Sequence, residues 1–155
     1  MKRTTIIFLQ SFIIIFGIVI LSFLIRVPLT EGRAANLDLY HIYTDPFILF
    51  GYIASIPFFI ALYKGFKILG YYGQNKIFSL IAVRELKIIK YCAILFSIFI
   101  LSAGIFILLF HNKEDDPAGF ISLCILTTFL SIVVVGITSV FEKKLQKTIY
   151  HKIKK

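Results

Sequence analysis

Residues 56–93 read IPFFIALYKGFKILGYYGQNKIFSLIAVRELKIIKYCA, and this stretch determines how the rest of the chain is organised. It joins the end of one apolar segment to the start of the next through a basic connector that contains three glycines. The apolar segments on both sides last about 20 residues, which is the length that crosses the hydrocarbon layer of a membrane. The stretch therefore predicts a membrane protein with this connector at one membrane surface.

The composition of the whole chain agrees with this interpretation. Hydrophobic residues make up 59% of the 155 residues, and the mean hydropathy is +0.91. Soluble domains have about 45–50% apolar residues. Four apolar segments are predicted to span the membrane, at about residues 5–25, 46–64, 91–110 and 117–141. We expect one domain over residues 1–155, all-α, folded as a membrane four-helix bundle with no separate soluble part.

Local signals predict where several helices begin. Asp45 and Pro46 are typical of a helix start, because the carboxylate accepts from a free N–H and proline has none to lose. The same pair recurs at Asp116 and Pro117. Pro57 lies in the middle of the second span and predicts a kink, which is either a functional hinge or a bend that neighbouring helices accommodate. Residues 36–43 are predicted to form a short interfacial helix.

The connector predicts a break between two helices. Three glycines, at positions 65, 70 and 73, are expected to interrupt the chain after Tyr63, with a turn at residues 75–76 and Ser79 as a helix cap. From Ser79 onward Ala82, Leu86, Ile89 and Ala93 form one apolar stripe, and Arg84, Glu85, Lys87 and Lys90 are expected to point away from it.

The third and fourth helices are longer than a membrane requires. An uninterrupted helix from Ser79 to Phe110 would be about 48 Å long, whereas the hydrocarbon core is about 30 Å thick. Helix 3 is therefore predicted to continue as an amphipathic stalk past the membrane or as a helix bent along the inner surface. Helix 4 is predicted to continue into a basic amphipathic tail whose apolar stripe lies against anionic lipid headgroups. That stripe consists of Phe141, Leu145, Ile149 and Ile153.

The distribution of charge predicts the orientation. The net charge is +9, and 14 of the 17 Lys and Arg residues lie in the N-terminal start, the connector and the tail. Cytoplasmic segments of membrane proteins carry an excess of these residues. We therefore expect a cell-membrane protein with both termini in the cytoplasm, and cations near anionic lipid headgroups instead of nucleic acid.

Polar residues inside the spans are predicted to serve packing. On the fourth span Cys124, Thr128, Ser131, Val135 and Thr138 form one small and hydroxylated stripe, which is typical of contacts between membrane helices. The alternative is a polar pathway for a solute. Gln10 is available for a hydrogen bond between helices, and Cys92 and Cys124 are expected at depths too different for a disulfide.

The sequence contains no motif that indicates catalysis. Nucleotide-binding loops and nucleophile or zinc motifs are missing, and no charged residue lies at mid-depth in a span. We therefore expect no enzyme activity, cofactor or metal. The alternative for His41 and His111, each near acidic residues, is an external divalent-ion site. The candidate functional surface is a set of residues that could contact lipid or a partner: Lys76, Phe78, Arg84, Lys87, Lys90, Lys143, Lys144 and Lys147. Phe78 is predicted to anchor the turn.

Several segments of the connector resemble a known family. They are IPFFIALY at residues 56–63, KIL at 67–69, NKIFS at 75–79 and KIIKYCA at 87–93, together with DDPAG at 115–119. They are similar to the YoaS-like group of small bacterial four-span membrane proteins, a domain of unknown function. The resemblance implies a bacterial inner-membrane location, a four-helix bundle and no known activity. Members are often encoded beside a small helix-turn-helix regulator, which implies a membrane partner for such a protein.

Two functions from different classes follow. The first is a regulatory or interaction protein of the bacterial inner membrane, with a protein partner or a second copy of the chain. The reason is that the basic connector and tail occur together with spans that lack catalytic and charged residues at mid-depth. The second is a transport or export accessory, or a self-protection protein against a membrane-active compound. The hydroxylated stripe and Pro57 suggest it.

Overall fold

Every regular element in the described part of the chain is an α-helix. The computed structural model describes residues 3–30, 39–74, 76–110 and 118–154. The helices are α1 (Arg3–Thr30), α2 (Leu39–Tyr43), α3 (Pro46–Gly73), α4 (Leu80–Phe110) and α5 (Ala118–Ile153). All except α2 are long and apolar enough to cross a membrane. This confirms the predicted all-α fold with four candidate membrane-spanning helices. The predicted interfacial helix forms over Leu39–Tyr43, and its residues 36–38 lie outside the described ranges.

The first helix ends later than its apolar segment predicts. The span was expected to end at residue 25, but α1 continues through Pro28 to Thr30. Pro28 has no N–H to give to the Leu24 carbonyl, so the helix loses a hydrogen bond there. The Tyr52 hydroxyl donates to that carbonyl at 3.3 Å, and the Tyr43 hydroxyl donates to the Ile25 carbonyl at 3.2 Å. These two donors from α3 and α2 support the last turn of α1.

The start of α3 confirms the prediction made from Asp45 and Pro46. The Asp45 side chain accepts a hydrogen bond from the Phe47 backbone N–H at 2.8 Å, and Pro46 is the first residue of the helix. The matching pair at residues 116 and 117 lies outside the described ranges. Pro57 is buried within α3, which continues past it. The kink at Pro57 remains a prediction.

The prediction that glycines break the chain after Tyr63 is wrong for Gly65 and Gly70, because α3 runs through both, and it is right for Gly73, where α3 ends. Two of these glycines are contact points for α1. A Cβ atom on Gly70 would lie 3.4 Å from Gln10 Nε2, and one on Gly73 would lie 3.2 Å from Ile6 Cδ1. Small residues allow such close approach between membrane helices.

Two predicted local contacts are confirmed. Gln10 donates from Nε2 to the Phe66 carbonyl at 3.2 Å, which joins α1 to α3. Ser79 caps α4, since its hydroxyl oxygen accepts from the Ala82 N–H at 3.3 Å. Asn75 of the predicted turn lies outside the described residues. As expected, α4 is continuous to Phe110, over 31 residues.

The long helices pack in the order in which the chain makes them. Helix α1 packs on α3, α3 on α4, and α4 on α5, and the last of these contacts is the most extensive. The stripe on α5 faces α4: Cys124, Thr128, Ser131 and Thr138 are buried and Val135 is half-buried. A Cβ on Gly104 of α4 would lie 3.5 Å from that of Cys124. The predicted packing role of this stripe is therefore confirmed, and both cysteines are free thiols.

Candidate functional site at the basic end

One end of the molecule brings together the termini of three long helices. We call it the basic end and define it as residues 64–90 and 142–154. Val83, Leu86 and Leu145 form a buried cluster there. The half-buried side chains that pack against this cluster are Ile68 of α3, Ile77 of the connection between α3 and α4, and Ile149 of α5. The ends of α3, α4 and α5 are therefore held together by apolar contacts.

This cluster corrects part of the prediction for the tail. Leu145 and Ile149 were expected to face lipid headgroups, but they contact the first part of α4. Phe141 is exposed, and the side chain of Ile153 lies outside what the structure describes. The tail is the direct continuation of a helix that already packs on α4, so its apolar positions continue the same contact.

Two ion pairs lie beside the cluster. Lys64 Nζ is 2.7 Å from Glu85 Oε2, and Lys90 Nζ is 2.6 Å from Glu142 Oε2. The first contact is ionic without the alignment of a hydrogen bond, whereas Lys90 donates a hydrogen bond to Glu142. One pair joins α3 to α4, and the other joins α4 to α5.

Both carboxylates are buried, with 7% of the residue exposed in each case. The prediction that Glu85 and Lys90 point away from the packed stripe is wrong. Glu85 lies three residues after Ala82 and four before Ile89, so it shares their face of the helix. The spacing in the sequence thus indicated that Glu85 is buried, but the charge of Glu85 led to the opposite prediction.

The two pairs change the balance of charge on the surface. Glu85 and Glu142 are the only acidic residues of the sequence within residues 64–92 and 142–155. Because both are buried and paired with lysine, they do not oppose the cations that face outward. The outward-facing cations among the predicted surface residues are all exposed: Lys76, Arg84, Lys87, Lys143, Lys144 and Lys147. Lys90 belongs to the internal pair and not to this surface.

The predicted anchor of the turn also needs correction. Phe78 is 54% exposed, whereas its neighbour Ile77 packs against the buried cluster. Adjacent residues at a turn point in different directions, and the chain uses the smaller one for packing. Phe78 instead lies beside two exposed residues of the first turn of α4, Leu80 and Ile81, which sequence reasoning did not single out. All three side chains are exposed, and they lie between Lys76 and Arg84 in the chain.

The external metal alternative cannot be built from the described residues. Within residues 3–30, 39–74, 76–110 and 118–154, no group of three His, Cys, Asp or Glu side chains lies close enough to hold an ion. His41 is exposed, and its ring meets the Tyr40 ring edge-on at 5.8 Å between centroids. His111 and its acidic neighbours lie outside these ranges.

Comparison with known proteins places the chain in a family. The model of the family described as Protein of unknown function (DUF2975) matches residues 29–153. The chain belongs to this family. It is also similar to the uncharacterized membrane protein YoaS of Bacillus subtilis (strain 168), with 36% identity over 151 residues, which are 96% of this chain and 94% of the relative. No solved structure matches the chain.

The DUF2975 match begins at Leu29, near the end of α1, and covers both ion pairs and the buried cluster of the basic end. The suspected resemblance to the YoaS-like group is confirmed, and with it the membrane character of the chain. The family description assigns no activity.

Proposed function

We propose that this chain is a multi-pass protein of the bacterial inner membrane, with both termini and the basic end in the cytoplasm. Its function is to bind an anionic protein partner through the exposed cations of α4 and α5. The observation that carries the proposal is the internal pairing of Glu85 and Glu142. The pairing stabilises the contact between helices and leaves the outward-facing cations unopposed.

The orientation rests on charge. The basic end, Lys155 and the N-terminus together hold 14 of the 17 Lys and Arg residues, and six of the eight acids lie in the segments between α1 and α3 and between α4 and α5. An excess of Lys and Arg is typical of the cytoplasmic side. Anionic lipid headgroups on that side attract cations near the membrane surface. They therefore supply a second, lipid contact for the residues closest to the spans.

The length of the helices favours a protein partner at the tip of the basic end. If α4 enters the hydrocarbon near residue 91, its start at Leu80 reaches about 16 Å beyond that boundary, at 1.5 Å per residue. The polar layer on each side of a bilayer is only about 5–8 Å thick. The shared cluster of α3, α4 and α5 supports an extension that projects as one unit. Arg84, about 10 Å beyond the boundary, then faces the cytoplasm beyond the headgroups, and Lys87, at about 6 Å, lies at their level.

The resemblance to the YoaS-like group suggests what kind of protein the partner is. A helix-turn-helix regulator encoded beside the membrane protein would be held at the membrane by an acidic surface of its own. In this arrangement the membrane protein does not touch nucleic acid. The amphipathic extensions of α4 and α5 act as the docking surface, and the exposed side chains of Phe78, Leu80 and Ile81 supply apolar contact.

The competing function, a transport or export accessory, was suggested by two features, and one of them no longer supports it. The hydroxylated stripe of α5 is packed against α4, so it does not line a pathway between the described helices. Pro57 remains as a candidate hinge. Transport therefore remains the alternative function. The following experiment would favour it if no protein partner is found.

Site-specific photo-crosslinking in cells tests the proposal. A benzophenone amino acid is placed at Lys87 or Lys144, and at Phe129 as the control, which is exposed on the spanning part of α5. We expect discrete protein adducts from the first two positions and lipid adducts alone from the third. Replacing by Gln those of Arg84, Lys87, Lys143 and Lys144 that do not carry the crosslinker should abolish the protein adducts. Lipid adducts alone at positions 87 and 144 would contradict the proposal.

A further inference from the structure

A cavity lies at the end of the molecule opposite the basic end, between the start of α3 and the last turns of α4. Its volume is about 600 Å³. Pockets that bind small molecules have volumes of about 300–1,000 Å³. The cavity is separate from the basic end and from every contact that the proposed function uses.

Four aromatic rings dominate the walls. Phe47 and Phe50 come from α3, and Phe106 and Phe110 come from α4. The rings of Phe106 and Phe110 have centroids 5.0 Å apart at an angle of 34°, and Phe50 meets Phe99 edge-on at 5.6 Å. The face of an aromatic ring carries partial negative charge and attracts cations, ammonium groups among them. The same rings provide apolar surface for an alkyl chain.

The polar groups of the cavity are acceptors. Asp45 is the one charged side chain among its described lining residues, and its Oδ1 is fixed by the Phe47 N–H at 2.8 Å. The Ser102 hydroxyl donates to the Phe99 carbonyl at 2.8 Å, so only its oxygen lone pairs remain for a ligand. Pro46 has no N–H, and that of Phe47 is already used. A ligand that brings positive charge suits this lining, whereas an anion would meet a carboxylate.

We propose that this cavity binds an amphipathic cation, namely an alkyl chain that ends in an ammonium group. The ammonium group lies beside the Asp45 carboxylate and the faces of the phenylalanine rings. The chain lies along the apolar walls toward the hydrocarbon layer. The cavity is at the end of two membrane-spanning helices, where an amphipathic molecule that partitions into the membrane places its charged head.

Photoaffinity labelling of the full chain tests the site. The chain is purified in dodecyl maltoside, whose head is an uncharged sugar, and titrated with a diazirine derivative of dodecyltrimethylammonium. The matched probes carry the same chain on an alcohol and on a sulfate. We expect saturable labelling of the α3 and α4 walls by the ammonium probe. Labelling by the alcohol should be about tenfold weaker, in line with the worth of contacts between a cation and aromatic rings.

Substitutions separate the ligand site from the fold. Asp45→Asn keeps a good N-cap residue, so the helix start is retained while the charge is lost. We expect at least about tenfold weaker labelling by the ammonium probe and no change with the alcohol probe. Phe106→Leu should also weaken the ammonium probe. The matched control Phe8→Leu changes an exposed ring on α1 and should leave labelling unchanged.

Other results would overturn the proposal. These are equal labelling by the ammonium, alcohol and sulfate probes, or ammonium labelling that Asp45→Asn leaves intact. A competition arm identifies the natural source of the ammonium group. Added phosphatidylethanolamine that displaces the ammonium probe assigns the cavity to a lipid headgroup. Displacement by free dodecylamine, with no effect of the lipid, assigns it to a free amphiphile.

Discussion

The hydroxyl of Tyr52 donates a hydrogen bond to the Leu24 carbonyl across 3.3 Å. Pro28 leaves this carbonyl without its helical partner, because proline has no N–H to donate one turn later. A residue of α3 therefore supplies the donor that α1 lacks. The pair explains how α1 continues to Thr30 although it contains a proline.

Tyr52→Phe should destabilise the protein, because the Leu24 carbonyl then loses the donor that takes the place of the missing Pro28 N–H. We expect a loss of about 1–2 kcal/mol, measured by thermal or denaturant unfolding in detergent. Pro28→Ala restores a backbone N–H to Leu24. In that background Tyr52→Phe should cost less, and an equal cost in both backgrounds would contradict the explanation. Tyr150→Phe, at an exposed ring, is the control.

Lys90→Met should also destabilise the protein, because it leaves the buried Glu142 carboxylate without its cation. The side chain of Lys90 is about one fifth exposed (21%), so the cost lies between the values for surface and buried pairs, at about 1–3 kcal/mol. Lys87→Met, one turn away and exposed, should cost less than about 0.5 kcal/mol.

The double variant tests why Lys90→Met is costly. Adding Glu142→Leu to Lys90→Met should recover most of the lost stability, since no charge then remains buried. The free energy of unfolding in detergent is measured for Lys90→Met, for Lys87→Met and for the double variant. If the single variant is as stable as Lys87→Met, or if the double variant is worse than the single one, the pair does not hold α4 to α5.

Gly70→Leu should detach the first half of α1, because the new side chain occupies the place of Gln10, which lies 3.4 Å from a Cβ at that position. Gly65→Leu is the matched control, since a Cβ there meets no atom within 4 Å. Both are measured in a cysteine-free background that carries Ile6→Cys, at a buried position of α1. We expect fast thiol labelling with Gly70→Leu and slow labelling with Gly65→Leu. Equal rates would rule out the contact.

Ile77→Ala should destabilise the basic end, whereas Phe78→Ala should not. Ile77 packs against the cluster of Val83, Leu86 and Leu145 while half-buried, so its truncation costs about 1–2 kcal/mol. Phe78 is exposed, and its truncation should stay within about 0.5 kcal/mol. Unfolding measurements compare the two. A larger loss with Phe78→Ala would restore that residue as the anchor of the turn.

Fusions of reporter proteins test the proposed orientation. A green fluorescent protein after Lys155 should fluoresce in cells, and alkaline phosphatase at the same place should be inactive, because the C-terminus is expected in the cytoplasm. The two reporters should behave in the opposite way when inserted within residues 31–38. An active phosphatase after Lys155 would reverse the assignment of the basic end to the cytoplasm.

Sequence reasoning succeeded where neighbouring residues determine the structure. Asp45 and Ser79 cap helices because of chemistry within three residues. The stripe of small residues on α5 was visible as a helical period, and Gln10 as an isolated amide in an apolar segment. Each of these features needs only the local helix to be correct.

It failed where a distant element determines what a residue does. Gly70 is equally suited to a break or to a close contact, and the choice depends on α1 lying opposite. Glu85 is buried because Lys64, on another helix, lies beside it. The cavity is lined by residues that lie far apart in the chain, such as Asp45 and Phe106, so no local sequence pattern predicts it.

The sequential packing of the helices has a consequence for biogenesis. Each extensive contact between long helices in the described chain joins one span to the next, so no span must wait for a distant part of the protein. As soon as α3 enters the membrane during synthesis, α1 has its partner helix. Tyr52 of α3 can then donate to the Leu24 carbonyl, and Gln10 of α1 can donate to the Phe66 carbonyl. Helix α4 then adds to α3, and α5 adds to α4. The order of insertion and the order of assembly therefore coincide. Each new helix from the ribosome finds the helix on which it packs already in the membrane.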